Sequence, residues 1–196
     1  DMAERVSGVG RWRYRLSDNG IDWSDEVYRI HGVTRENFDP NLASALDFFG
    51  HDDREQVAVR FAEALLTGEG YEFEAPLYTD AGPRRVICKA DSLKDERGEL
   101  VGLVGVIQDV TEQRKAEAAL AESEQRFRRL AVNAPDIIAT SRLDGQMTYV
   151  SPACLAITGF TPEELIGGAY YTMMHPEDGA KIQAMCQTVF ASKGKI

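Results

Sequence analysis

The sequence predicts an α+β fold, and three observations carry the prediction. Strand and helix patterns fall in separate runs: two short strands, several helices, then three strands. A charged helical pattern without Gly or Pro follows the last strand. The turn and cap residues of the opening then recur, in the same order, in the second half of the chain.

Residues 1–9 carry little pattern and read as an N-terminal extension. From Arg11 to Leu16 the residues alternate, with Trp12, Tyr14 and Leu16 on one side and arginines on the other, the period of a half-buried strand. Ser17-Asp18-Asn19-Gly20 is turn chemistry, because Asn-Gly accepts positive φ cheaply. Ile21-Asp22-Trp23 is the short partner strand. Ser24 reads as the N-cap of a helix beginning at Asp25, and Asp25 and Glu26 favour the positive end of its dipole. Gly32 stops that helix. A further helical turn is expected near Thr34, Asn37 and Phe38, and partial helix from Leu42 to Phe49. Asp52 or Asp53 then caps a longer helix, about Arg54 to Leu66, whose Val57, Phe61, Ala64 and Leu65 make one apolar face. Thr67-Gly68-Glu69-Gly70 ends it.

Three strands follow. Tyr71 to Leu77 alternates, and Pro76 places that strand at an edge or a bulge. A turn over Thr79 to Pro83 leads to a strand from Arg84 to Leu93, and Asp95-Glu96-Arg97-Gly98 makes the next turn. Leu100 to Val110 is nearly all apolar and reads as a central strand with both faces covered. Its Gly102 and Gly105 leave room for a backbone, a ligand or a crossing helix. Beyond it, Ala116, Leu120, Ser123, Phe127 and Leu130 are spaced as a heptad seam. Glu122 with Arg126 and Glu124 with Arg128 sit in the favoured order on the outer face. Roughly 22 residues at ~1.5 Å each make a helix of about 33 Å. Two heptads are marginal alone, so the seam must pack on something.

The repeat sets the domain plan. Ser24, Gly32, Thr34 and Phe38 reappear as Ser151, Gly159, Thr161 and Leu165 with identical spacing, and the turn Asn19-Gly20 as Asp144-Gly145. The plan is a first domain at 10–110, a linking helix at 111–132 and the N-terminal part of a second copy at 133–196. By this register the second copy lacks its last three strands: they are cut off or disordered in a larger protein, or another chain completes the half-domain, and the chain reads as a fragment of a larger protein.

Composition narrows the function. With 28% charged residues and a net charge of −10, the surface repels phosphate backbones, which argues against nucleic acid and against anionic membranes. No apolar run reaches the roughly 20 residues of a membrane span. Three cysteines, Cys88, Cys154 and Cys186, without CxxC spacing point to neither a disulfide framework nor structural zinc. A cytoplasmic protein is expected.

Several segments then resemble the PAS domain family. Gly10-Arg11-Trp12-Arg13-Tyr14 with Ile21-Asp22-Trp23-Ser24 is similar to the opening of its "PAS fold 3" subgroup. Ser151-Pro152-Ala153 with Thr158-Gly159-Phe160-Thr161-Pro162-Glu163-Glu164-Leu165 is close to the family consensus. His175-Pro176-Glu177-Asp178 matches its H-P-x-D segment, and Asp109-Val110-Thr111 its closing D-I/V-T signature. Gly50-His51-Asp52-Asp53 departs from the usual His-Pro, which leaves that helix start less rigid. The resemblance implies a five-stranded antiparallel sheet with helices on one face, a pocket between them, and two copies joined by a long coiled-coil-like helix. It implies sensing and dimerisation ahead of an output domain in a bacterial protein. That protein is expected to be a sensor histidine kinase, with a cyclic-di-GMP synthase or phosphodiesterase, or a purely structural dimerisation module, as alternatives. It also implies that Asp109 and Thr111 tie the last strand to the exit helix.

An enzyme needs a constellation, and the sequence holds no Walker loop, HExxH, GxSxG, GGDEF or EAL segment and no kinase ATP-binding box. Haem is disfavoured, because His31, His51 and His175 do not lie inside the long helices; capping or surface hydrogen bonding is expected of all three. Photoreactive flavin of the LOV type is disfavoured too, since neither Cys154 nor Cys186 stands in an N-C-R-F-L-Q segment. Non-covalent FAD stays open, and a filled core without a cofactor is the leading expectation. The candidate pocket residues are Tyr28, Phe38, Phe49, Phe61, Val86 and Cys88. The expected partners are a second copy, through the seam and the domain faces, a downstream output domain and a small-molecule ligand. No metal is expected.

Overall fold

A computed structural model of the chain describes residues 7–142, 144–169 and 174–191. It separates into two units, Asp1–Ala118 and Ala119–Ile196.

In the first unit, β1 (Val9–Arg15) and β2 (Ile21–Trp23) form a hairpin with Tyr14 opposite Ile21. Asn19 takes the left-handed conformation the turn needs, at φ 55°, and its carboxamide oxygen accepts the Tyr14 hydroxyl at 2.7 Å. Strands β3 (Tyr71–Thr79), β4 (Gly82–Lys94) and β5 (Leu100–Asp109) are joined by short turns and complete a five-stranded antiparallel sheet in the order β2-β1-β5-β4-β3. Pro76 lies on the edge strand β3, where a missing N–H costs no ladder bond. Part of that edge is met by the chain before the long helix: Phe49 bridges Leu77, and the Tyr78 N–H donates to the Phe48 carbonyl at 2.7 Å.

Helices α1 (Asp25–His31), α2 (Leu42–Leu46) and α3 (His51–Thr67) pack on one face of the sheet. Helix α1 comes so near β1 that a Cβ on Gly10 would lie 2.6 Å from the Val27 side chain. The core joins Val27, Ile30, Phe49, Val57, Leu77, Val86 and Ile107, and beside it Tyr14, Phe61, Ala64 and Leu103. Gly32 and Gly68 end α1 and α3 with φ near 70° (72° and 71°).

Four local expectations are corrected. The Ser24 hydroxyl does not cap α1; it accepts the Arg11 N–H at 3.0 Å and so ties β1 to the helix start. Helix α3 begins at His51 behind Gly50, which leaves Asp52 and Asp53 inside its first turn, where they still favour the positive dipole end. Leu16 lies past the end of β1 and is exposed. Strand β5 is central in order but covered on one face only: Val104 alternates onto the open face and is 41% exposed.

Helix α4 (Thr111–Val132) runs across the boundary between the units. In the second unit, β6 (Ala139–Ser141) and β7 (Met147–Val150) pair antiparallel, followed by α5 (Ala153–Thr158), α6 (Pro162–Leu165) and α7 (Pro176–Ala191). Met147, Val150, Cys154 and Leu165 form its small core. Several of its bonds repeat those of the first unit. The Ser151 hydroxyl accepts the Ile138 N–H at 3.0 Å, as Ser24 accepts that of Arg11. The Thr161 N–H reaches the Glu164 carboxylate at 2.8 Å, as the Thr34 N–H reaches the Asn37 carboxamide at 2.8 Å. The Cys186 side chain and most of the expected 1–9 extension lie outside the described residues.

Candidate functional site

Between the sheet and the helices the first unit holds a cavity of about 70 Å³, walled mainly by Trp12, Trp23, Val27, Phe49, Phe61 and Cys88. Two of its lining rings are ionisable, the phenol of Tyr71 and the imidazole of His31, the last residue of α1, which is 4% exposed. The imidazole stacks on Trp23 with ring centroids 4.3 Å apart and meets the Phe48 ring edge-on at 4.8 Å. Its Nδ1 lies 2.8 Å from the Val27 carbonyl oxygen. Burial pushes the imidazole down to about 4, and the positive charge of Arg84 acts in the same direction. His31 is therefore neutral at pH 7. A carbonyl only accepts, so the proton sits on Nδ1 and Nε2 is left as an acceptor. The surface role expected for His31 is thus overturned: α1 turns it inward beside Val27 and Ile30.

Of the six expected pocket residues, Phe49, Phe61 and Cys88 line the cavity. Val86 is wholly buried in the core around it. Tyr28 meets Trp23 edge-on and carries the Arg35 guanidinium over its ring at 4.9 Å, and Phe38 stacks on Trp23 from outside the wall. Burial pushes the Cys88 thiol up to about 12, so it is no nucleophile. Gly105 makes room for a side chain rather than a ligand or a helix, since a Cβ there would sit 2.5 Å from the Trp12 indole. Pockets for cofactor-sized ligands run to roughly 300–1,000 Å³. Flavin and haem do not fit the space as it stands.

The second part of the site is the joint between β5 and α4. The Asp109 carboxylate accepts the Thr111 N–H at 3.0 Å and the Thr111 hydroxyl through one oxygen, and pairs with Arg84 at 3.0 Å through the other. Burial alone would raise the Asp109 pKa, but these hydrogen bonds outweigh it and hold the carboxyl below its ordinary value. The Thr111 hydroxyl in turn accepts the Arg85 N–H at 2.8 Å, and the Val110 N–H donates to the Arg85 carbonyl at 2.8 Å. Four residues that sequence reasoning missed complete the joint. Glu74 on β3 receives Arg114 of α4 in a two-pronged pair at 3.1 and 2.7 Å, and Arg85 of β4 at 2.9 Å. The two guanidiniums, Arg114 first, hold the Glu74 carboxyl at about 2. Arg84 is the fourth. The signal for them was present: Glu72 and Glu74 alternate onto the open sheet face, opposite a strand that begins with two arginines.

The predicted seam residues Ala116, Leu120, Ser123, Phe127 and Leu130 are all exposed, Leu120 at 62% and Leu130 at 65%. In the second unit the Phe127 ring meets Tyr149 edge-on at 5.5 Å. Among the described residues no cluster is fit to hold a metal ion, and no helix is long and apolar enough to cross a membrane.

The first unit is thus a sheet covered by helices over an apolar cavity, with a helix clasped to its last strand. The chain belongs to the PAS fold family, whose sequence model matches residues 20–107 and 147–196. It is 26% identical over 180 residues to the sensor protein FixL of Bradyrhizobium diazoefficiens, covering 89% of this chain and 34% of that protein. It is 20% identical over 174 residues to the probable diguanylate cyclase DgcE of Escherichia coli, covering 89% of this chain and 16% of that protein. Among solved structures, the sensory box histidine kinase/response regulator of Burkholderia thailandensis superposes with a TM-score of 0.50 at 25% identity, over 66% of this chain and 97% of that one. The chain thus spans 34% and 16% of the length of these two curated relatives.

Proposed function

We propose that this chain is the sensory and dimerisation region of a cytoplasmic bacterial signalling protein. Residues 10–110 form a first PAS domain, 111–132 a signalling helix and 133–196 the N-terminal part of a second PAS domain. A change at the cavity shifts β5, and Asp109 and Thr111 pass the shift to α4, whose exposed seam pairs with the same helix of a second copy. The single observation that carries this reading is the joint: Asp109 and Thr111 bond one another and, through Arg84 and Arg85, bind β4 to the first turn of α4. The output domain is a histidine kinase or a diguanylate cyclase, since a sensory box histidine kinase/response regulator and a probable diguanylate cyclase are both among the proteins this chain is similar to.

The test is output activity of the full-length protein carrying Asp109→Ala or Thr111→Ala, with Leu120→Glu as the seam variant. The expected result is an altered basal or stimulated activity in the joint variants, and at least about tenfold weaker self-association for Leu120→Glu, as charges are excluded from seam cores. Unchanged activity in both joint variants overturns the signal route. Dimers lost on Leu120→Glu with joint variants inert would leave a purely structural dimerisation module.

A further inference from the structure

We propose that Glu74 and Arg114 are positioning residues that set the resting pose of α4, forming an outer clasp distinct from the Asp109 pair; the inference rests on the signal route above. The geometry comes from strand alternation. Leu77, Val86 and Ile107 point into the core, and Arg84 stands opposite Leu77 and Asp109 opposite Val86, so the Arg84–Asp109 pair lies on the helix-covered face. Arg85 and Glu74 fall on the opposite parity, with Glu74 opposite Ile87, and so lie on the open face. The start of α4 is therefore held from both faces of one sheet: on the inner face through Asp109, which pairs with Arg84 and accepts the Thr111 N–H, and on the open face through Glu74, which pairs with Arg85 and Arg114.

The two grips differ in what they touch. The inner pair stands next to α1, where Arg29 pairs with the buried Glu26 and feels the Asp109 carboxylate, and where Arg84 acts on the ring of His31 in the cavity wall. The ionic partners of the outer pair, Arg85 and Glu117, are not among the cavity's lining residues. It reaches one turn further along α4, and Arg114 also pairs there with Glu117 at 2.8 Å. Glu74 receives guanidinium groups from two elements at once, so β3, β4 and α4 share one carboxylate. With that side held, a shift of the inner pair tilts α4 about Glu74 instead of releasing it. The outer clasp is the pivot and the inner clasp the responsive side.

The experiment uses the full-length protein with Glu74→Gln, Arg114→Gln and the double variant, and Glu72→Gln as control. Glu72 pairs with Lys89 on the same face and belongs to neither clasp. Hydrogen exchange of the amides of residues 114–118 reads the pose directly. Glu74→Gln should speed their exchange roughly threefold to fivefold, the range for partly exposed ion pairs, and Arg114→Gln by less or the same. The double variant should match Glu74→Gln, and Glu72→Gln the wild type. The basal output of the two single variants should shift in the same direction while Glu72→Gln leaves it unchanged. Unchanged exchange, additive effects in the double variant, or an exchange effect without any shift in output each overturn the proposal. Asp109→Ala, measured alongside, separates the two ideas: if it is inert in output while the Glu74 coupling is intact, the signal route fails and not the clasp.

Discussion

Replacing His31 by phenylalanine should flatten the acid side of the stability profile. The folded chain holds the imidazole at about 4 against an ordinary 6.5. Between those values the unfolded chain takes up a proton that the folded chain refuses. The unfolded state then binds more protons, so stability rises with pH across this window and is lost as pH falls from 6.5 towards 4. At about 1.4 kcal/mol per pH unit the whole window is worth about 3 kcal/mol. Phenylalanine keeps the stack on Trp23 and cannot be protonated. It gives up the Nδ1–H bond to Val27, a pH-independent loss of about 1 kcal/mol. Urea denaturation of both proteins at steps from about pH 7.5 to about pH 4.5 measures the contrast, and carboxylates that titrate in both cancel in the difference. The variant should start less stable and close or reverse the gap as the solution is acidified. Parallel curves across the window would refute the neutral, buried assignment of His31 and with it the description of the cavity wall.

Gly105→Ala should destabilise the first unit by about 2 kcal/mol or more, because its Cβ meets both the Trp12 ring and the Lys89 carbonyl at 2.5 Å; a drop in Tm of several degrees checks it, and an unchanged Tm contradicts the close approach. Cys88, with its thiol pushed up to about 12 by burial, should resist iodoacetamide at about pH 8 in the native protein and react once urea unfolds it. Peptide mass spectrometry reads both states, and rapid native labelling of Cys88 would contradict its burial.

What could be read from the residues is what is local. The Asn19-Gly20 turn, the stops at Gly32 and Gly68 and the helix after Asp109 follow from positive φ, capping and periodicity, which act over a few positions. The misreadings have a common cause. Ser24 had a good helix to cap, but pairing of β1 with β2 brought the Arg11 N–H to its hydroxyl instead. His31 follows the buried Val27 at i+4 and Tyr28 at i+3, so its inward position was legible from the helix period, but residue type alone argued for the surface. Of the expected pocket residues, Phe61 needed only helix phase to reach the cavity, Phe49 needed the isolated bridge to Leu77, and Tyr28 and Phe38 depended on where Arg35 and Trp23 lie. Glu74 and Arg114 are 40 positions apart, and only the register of β3 on β4 brings them together.

The energies at the joint fit the role proposed for it. A core change can move α4 only by the difference in its interaction with two poses, and couplings of this kind are typically about 1–3 kcal/mol. A joint built from deeply buried ion pairs would resist such a bias, since breaking one costs about 3–5 kcal/mol. Here the inner pair is mostly buried but still open to solvent, at 22% and 20% side-chain exposure, and the outer pair is more open, at 43% and 27%. Exposed pairs contribute about 0.2–1 kcal/mol each. Two weak grips on opposite faces hold one pose and leave another within reach, whereas one strong grip would hold the helix fixed and none would disconnect it from the core. The cavity points the same way. Filling a space of about 70 Å³ is worth about 1.7 kcal/mol at ~24 cal/mol per Å³, which falls inside that coupling range and matches what the proposed route asks of a joint with this exposure.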